Sequence, residues 1–139
     1  MSFSQKKKAI AIVVLVIGAF FAEQKVFTGS DKAETQIDQL IKSRVSGKMV
    51  MLEAKVVKLL KDDLKGDKHQ KMILKSANNT LLLAHNIDIA PRVPAKIGDT
   101  LLIKGQYEWN KKGGLLHWTH RSNSSHPGGW IKHNNKKYQ

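Results

Sequence analysis

The chain has no cysteine. Disulfides, thiolate nucleophiles and cysteine-ligated zinc are therefore excluded. Carboxylates are scarce: 11 Asp and Glu stand against 24 Lys and Arg, a net charge of +13. Past Lys25, 20 basic and 10 acidic residues remain, so the excess belongs to the body of the chain. That balance favours polyanionic partners: nucleic acid, anionic lipid head groups or acidic glycans. No serine or threonine stands in a nucleophile motif. The apolar share of 41% allows one modest core, and 139 residues hold one compact domain plus a leader or anchor.

Long apolar runs are also lacking, apart from Ala9 to Ala22. As a helix this run rises about 21 Å, short of the roughly 30 Å hydrocarbon core. Lys6, Lys7 and Lys8 precede it, which is the pattern of an export signal. Phe20 stands where cleavage after Ala22 wants a small residue. Cleavage after Ser30 is sterically better but far from the apolar run. Residues 1–25 thus read as a signal peptide or a signal anchor. In either form the lysines stay cytoplasmic and the domain faces outward. The expected location is the periplasmic side of the inner membrane, or the periplasm or exterior if the leader is cleaved.

Residues 26–46 read as a short helical linker. Ser30 or Asp31 can cap an amphipathic helix to about Arg44, with Ile37, Leu40, Ile41 and Val45 on one face. Gly47 is expected to close it. From Lys48 the period becomes two: Val50, Leu52, Ala54 and Val56 alternate with outward residues, and Val57 breaks phase, predicting a bulge. Further strands are expected at His69–Ser76, Thr80–Asn86, Thr100–Trp109 and Leu115–His120. Asn78-Asn79 supplies a hairpin turn, and Pro91 and Pro94 punctuate an irregular connection. Everything after Arg121 reads as loop. The expected fold is all-β: a small five-stranded, OB-like antiparallel barrel over 47–139, carrying a His/Trp/Gly-rich C-terminal loop.

Several blocks match a known pattern in order and spelling. They are Lys68-His69-Gln70, Ala84-His85-Asn86-Ile87-Asp88, Pro91-Arg92, Gly98-Asp99, Tyr107-Glu108-Trp109-Asn110, Gly113-Gly114, His117-Trp118-Thr119-His120 and His126-Pro127-Gly128-Gly129-Trp130-Ile131. From about Gly47 to the C-terminus the chain resembles the bacterial domain of unknown function family 3465. The resemblance implies a small exported protein with an OB-like barrel. It implies no activity and assigns no residue a role.

Gln106 to Tyr138 concentrates four of the six histidines, all three tryptophans and both tyrosines among glycines and lysines. Indole and imidazole beside basic groups suit stacking, anion contact or metal ligation. His117 and His120 are three apart, which on a strand points them to opposite faces. With His126 they are weak metal candidates, and no metal or cofactor is expected. His85, Glu108, His117 and His120 supply the residue types of a phosphodiesterase, a base and an acid beside a phosphate clamp. Met72 and Ile73 compete for the inside of the second strand. If Met72 wins, His69, Lys71 and Lys75 face solvent. The leading expectation is binding of a polyanion, above all single-stranded DNA, without catalysis. Lys55, His69, Lys71, Arg92, Lys104, Trp109, Trp118 and Arg121 are the expected contacts. The alternatives are a histidine-dependent, possibly metal-dependent phosphodiesterase or nuclease, and an envelope protein-interaction module.

Overall fold

A computed structural model describes residues 30–122 and 124–139. The leader expected over residues 1–25 lies outside the described residues, as does the start of the linker. Among the described residues no helix is long and apolar enough to cross a membrane.

One helix, α1 (Ser30–Ser43), precedes seven strands: β1 (Lys48–Leu59), β2 (His69–Ser76), β3 (Asn79–Asn86), β4 (Thr100–Glu108), β5 (Leu115–His117), β6 (Trp130–His133) and β7 (Lys136–Tyr138). The sheet runs β1-β2-β3-β5-β4-β6-β7, and β1 also pairs with β4, closing five strands into a barrel. Four of the five barrel pairings are antiparallel, and β3 with β5 is parallel. β1 serves two neighbours because it bends. Lys48–Lys55 pair with β4, Lys55–Leu59 pair with β2, and the register shifts between Val56 and Lys58, where the bulge was expected.

The alternation decides the core. Val50, Leu52, Ala54 and Val56 point inward from β1, Met72 and Leu74 from β2, Leu81 and Leu83 from β3, and Leu101, Ile103 and Tyr107 from β4. Met72 thus takes the inside over Ile73. Leu74 faces Leu81 and Met72 faces Leu83 across the β2–β3 ladder. α1 packs against β1, with Ile37 buried and Leu40 and Ile41 against the core.

Several boundaries differ from expectation. The helix ends at Ser43, close to the expected Arg44, but Arg44 and not Gly47 closes it. Arg44 adopts φ 55°, Val45 N–H donates to Leu40 O (3.0 Å) and Arg44 N–H to Ile41 O (3.2 Å), the two bonds of a Schellman end. Gly47 instead begins the barrel, its N–H donating to Tyr107 O. The β2–β3 turn is Ala77–Asn78, because Asn79 joins β3 and its amide donates to Asp38 on α1. Strand β4 ends at Glu108, and Trp109 N–H turns away to Ser46 Oγ. β5 ends at His117, not His120. The segment past Arg121 is not all loop: β6 and β7 form a hairpin around Asn134-Asn135, both at positive φ as a two-residue type I′ turn requires.

β5 and β6 divide one edge of β4. β5 takes Gln106–Glu108 and β6 takes Leu102–Lys104. Gly105 lies at the break, where a Cβ would stand 2.7 Å from His117 O and 2.8 Å from Thr119 Cγ2. Residues 118–122 and 124–129 lie outside the sheet there, and this excursion builds the site.

Candidate functional site

Two neighbouring features flank the excursion: a histidine-lined hollow and a basic outer wall.

The hollow opens where β2 begins and β3 and β5 end. Its volume is about 290 Å³, and its lining includes His69, Asn86, His117, Trp118, His120 and His126. Trp118 has φ 53°, an unusual value for a bulky side chain and a local strain. Its indole stacks on the His126 ring, centroids 4.2 Å apart and planes within 9°. His117 also stacks on it at 5.0 Å, and His120 meets His126 edge-on at 4.9 Å.

Each hollow-lining imidazole has one nitrogen facing an oxygen acceptor. His120 Nδ1 lies 2.8 Å from Arg121 O, and His126 Nδ1 lies 2.7 Å from Pro127 O. A carbonyl only accepts, so these nitrogens carry the hydrogen. His117 Nε2 donates to Gln106 Oε1 (3.1 Å) and faces Glu108 Oε1 at 3.4 Å. His69 Nδ1 stands 4.0 Å from Asp63 Oδ2. Burial pulls the His117 pKa below the ordinary imidazole value despite Glu108, so its ring is neutral at pH 7. Among the described residues no group of three or more His, Asp or Glu gathers to hold a metal ion. His117, His120 and His126 share the hollow without forming such a set.

Behind the hollow, His85 is fully buried. Its Nε2–H donates to Pro91 O (3.0 Å), so Nδ1 accepts from the Thr119 hydroxyl (2.7 Å). Burial lowers its pKa to about 4. With both nitrogens engaged, His85 ties the excursion and the β3–β4 connection to β3 and offers no atom to a substrate. Glu108 is half-buried beside His117.

The basic wall is the outer surface of β7, β6, β4, β1 and β2. Trp130 lies opposite Lys104, and Lys104 opposite Met51. Lys132 lies opposite Lys137, whose ammonium is 4.8 Å from the Trp130 ring. Lys55 faces Lys75 directly. Glu53 contributes the carboxylate among these neighbours, opposite Leu102. Among the described residues no lysine ammonium is within ion-pair distance of a carboxylate; the acids pair with Arg92, His69, His117 and His133.

The expected contact residues therefore divide. Lys55 and Lys104 share the wall, and His69 and Trp118 share the hollow. Lys71 lies opposite Ala84 at the rim of the hollow. Arg121 is exposed at the start of the 121–128 loop. Arg92 is paired with Asp62, away from both groups. Trp109 is remote from them, packed on the core with Arg44 over its ring at 5.3 Å. Trp130, Lys132 and Lys137 complete the wall and were not among the expected contacts. The signal for them was Asn134-Asn135, which turns a presumed solvated tail into a hairpin.

The excursion and the wall meet at Gly129. A Cβ there would stand 2.2 Å from Trp118 O and 2.4 Å from Lys104 O, so only glycine lets β6 dock against β4 beside Trp118. No curated protein matches the chain. The family model described as protein of unknown function DUF3465 matches residues 15–139, and the chain belongs to that family.

Proposed function

We propose that the barrel is an OB-type module that binds single-stranded nucleic acid along the basic wall, without catalysis. The strand order, the parallel β3–β5 pair and the long bent β1 support the OB reading. The observation that carries the binding reading is a set of unpaired lysines around a half-exposed tryptophan. Lys104, Lys132 and Lys137 neighbour Trp130, Lys55 and Lys75 lie farther along the same face, and none of these five is within ion-pair distance of a described carboxylate. Lysines tracking phosphates and an indole stacking on a base are the two components of sequence-tolerant single-strand binding. An acidic glycan or lipid head group would meet the lysines but gives Trp130 no planar base to stack on. The leader pattern supports placement on the periplasmic side of the inner membrane, tethered or released.

The test is fluorescence anisotropy of a labelled oligonucleotide with the full-length chain in mild detergent, titrated from low to physiological salt. The expected result is binding with a steep negative salt slope. Lys104→Ala, Lys132→Ala and Lys137→Ala should each flatten that slope by about 0.7. No complex at low salt, or one indifferent to salt, would refute the reading.

A histidine-dependent phosphodiesterase is the second reading, favoured by the Glu108–His117 pair. A gel of the same mixture tests it. A strand cut by the wild type and left intact by His117→Ala would establish turnover.

A further inference from the structure

The hollow is chemically unlike the wall beside it. In their neutral form, His117, His120 and His126 each spend their one N–H on a protein oxygen. Each ring keeps a lone pair on its other nitrogen. These three rings, which surround Trp118, have no N–H left to give a phosphate. They suit a ligand that brings its own hydrogen-bond donors.

The stack inside it adds a shape requirement. His126 lies flat on Trp118, with planes within 9° and centroids at 4.2 Å. It belongs to the 121–128 loop and is half-exposed, whereas Trp118 is fixed by β5 on one side and by the Thr119–His85 bond on the other. A planar group, carried by an exposed loop, already occupies the indole. Gly129 brings the backbones of Trp118 and Lys104 together, so the excursion that carries Trp118 adjoins the wall.

We propose that the hollow seats one unstacked nucleobase of the bound strand, which displaces His126 from Trp118, and that the lone pairs of His117 and His120 select bases bearing an exocyclic amine. This rests on the single-strand reading above and names what that strand must carry. A volume of about 290 Å³ is at the lower end of small-ligand pockets, the size for one base and not for a duplex. Cytosine presents an amine to the lone pairs. Uracil presents a carbonyl at the same place, and two acceptors would then face each other.

The experiment compares oligodeoxycytidine with oligodeoxyuridine of equal length, about ten nucleotides, by anisotropy against the full-length chain in mild detergent at pH near 7.5. Cytidine is expected to bind roughly tenfold tighter, with the same salt slope for both. Trp118→Ala should bring cytidine down to the uridine level. Because Trp118 is at a strained backbone position, His126→Ala is the second variant. Its loop is exposed, and removing the ring should tighten cytidine binding severalfold, since nothing then has to be displaced. Equal affinities for the two oligonucleotides, or weaker cytidine binding by His126→Ala, would overturn the base seat while leaving the wall intact. Failure of both oligonucleotides to bind at low salt would overturn the wall and the seat together.

Discussion

His85 carries no charge at neutral pH because full burial penalises the imidazolium, and this outweighs the Pro91 carbonyl, which favours it. Nε2 already donates to Pro91 O, and Nδ1 accepts from Thr119. Its folded pKa is about 4 against an ordinary 6.5. Above pH 6.5 neither state binds the proton. Between 6.5 and 4 the unfolded chain takes it and the fold does not, so stability falls as pH falls through that window. The loss by pH 4 is about 3 kcal/mol. Urea midpoints measured at intervals from about pH 7.5 to about pH 4 should show it, and His85→Gln should flatten the profile. A wild-type midpoint constant over that range would contradict the buried neutral ring. Asp99 acts lower on the scale. The Lys96 N–H and then His133 hold its carboxyl below the usual value, so its contribution is present above about pH 4 and is lost under more acid conditions.

At the scale of elements, the sharing of β4's edge between β5 and β6 makes both the hollow and the wall possible. One continuous strand would have paired along the edge and left no excursion. The exchange depends on close backbone approach at Gly105 and Gly129. Gly129→Ala should cost about 3 kcal/mol, as overpacking against two fixed carbonyls with no flexible side chain to yield. Thermal unfolding checks the cost. Emission from Trp130 shows whether β6 has undocked, and an unchanged melting temperature would mean β6 docks differently. Four barrel strands and the bulge were legible because alternation over eight or more residues is a strong local signal. The hairpin at Trp130–Tyr138 was not, because Trp-Ile-Lys-His and Lys-Lys-Tyr are too short to show a period. Its Asn134-Asn135 turn was the readable cue. The end of β5 was also hidden, since nothing in Leu115–His120 shows that β6 takes the rest of β4. The histidines could be named as a cluster. Their gathering round one hollow depends on β2 and on the 118–129 excursion, which no local spacing encodes.

For the molecule as a whole, charge of the two signs is segregated by use. Asp63, Asp67, Asp88 and Asp99 lie in the connections, where they accept hydrogen bonds from backbone or side-chain donors and hold loops in place. The lysines of the wall hold nothing in place. Lys55 opposite Lys75 is a like-charge cross-strand pair, which costs the sheet a few tenths of a kcal/mol up to about 1. A bound polyanion would relieve that repulsion, so folding and binding should respond to the same charges with opposite sign. Added salt should raise the stability of the free barrel by screening the lysines and weaken the complex by removing the gain from counterion release. Lys75→Glu separates the two effects in one protein. Opposite Lys55 it makes an attractive pair, so unfolding in urea should require about 0.5–1 kcal/mol more than in the wild type. On the wall it replaces a positive contact with a negative one, so oligonucleotide affinity should drop and the salt slope should flatten by about 1.4. A variant that is more stable yet binds as tightly as the wild type would place the nucleic acid elsewhere. A variant that loses both stability and binding would mean that Lys75 serves the fold, and the repulsion inferred from its register would be wrong.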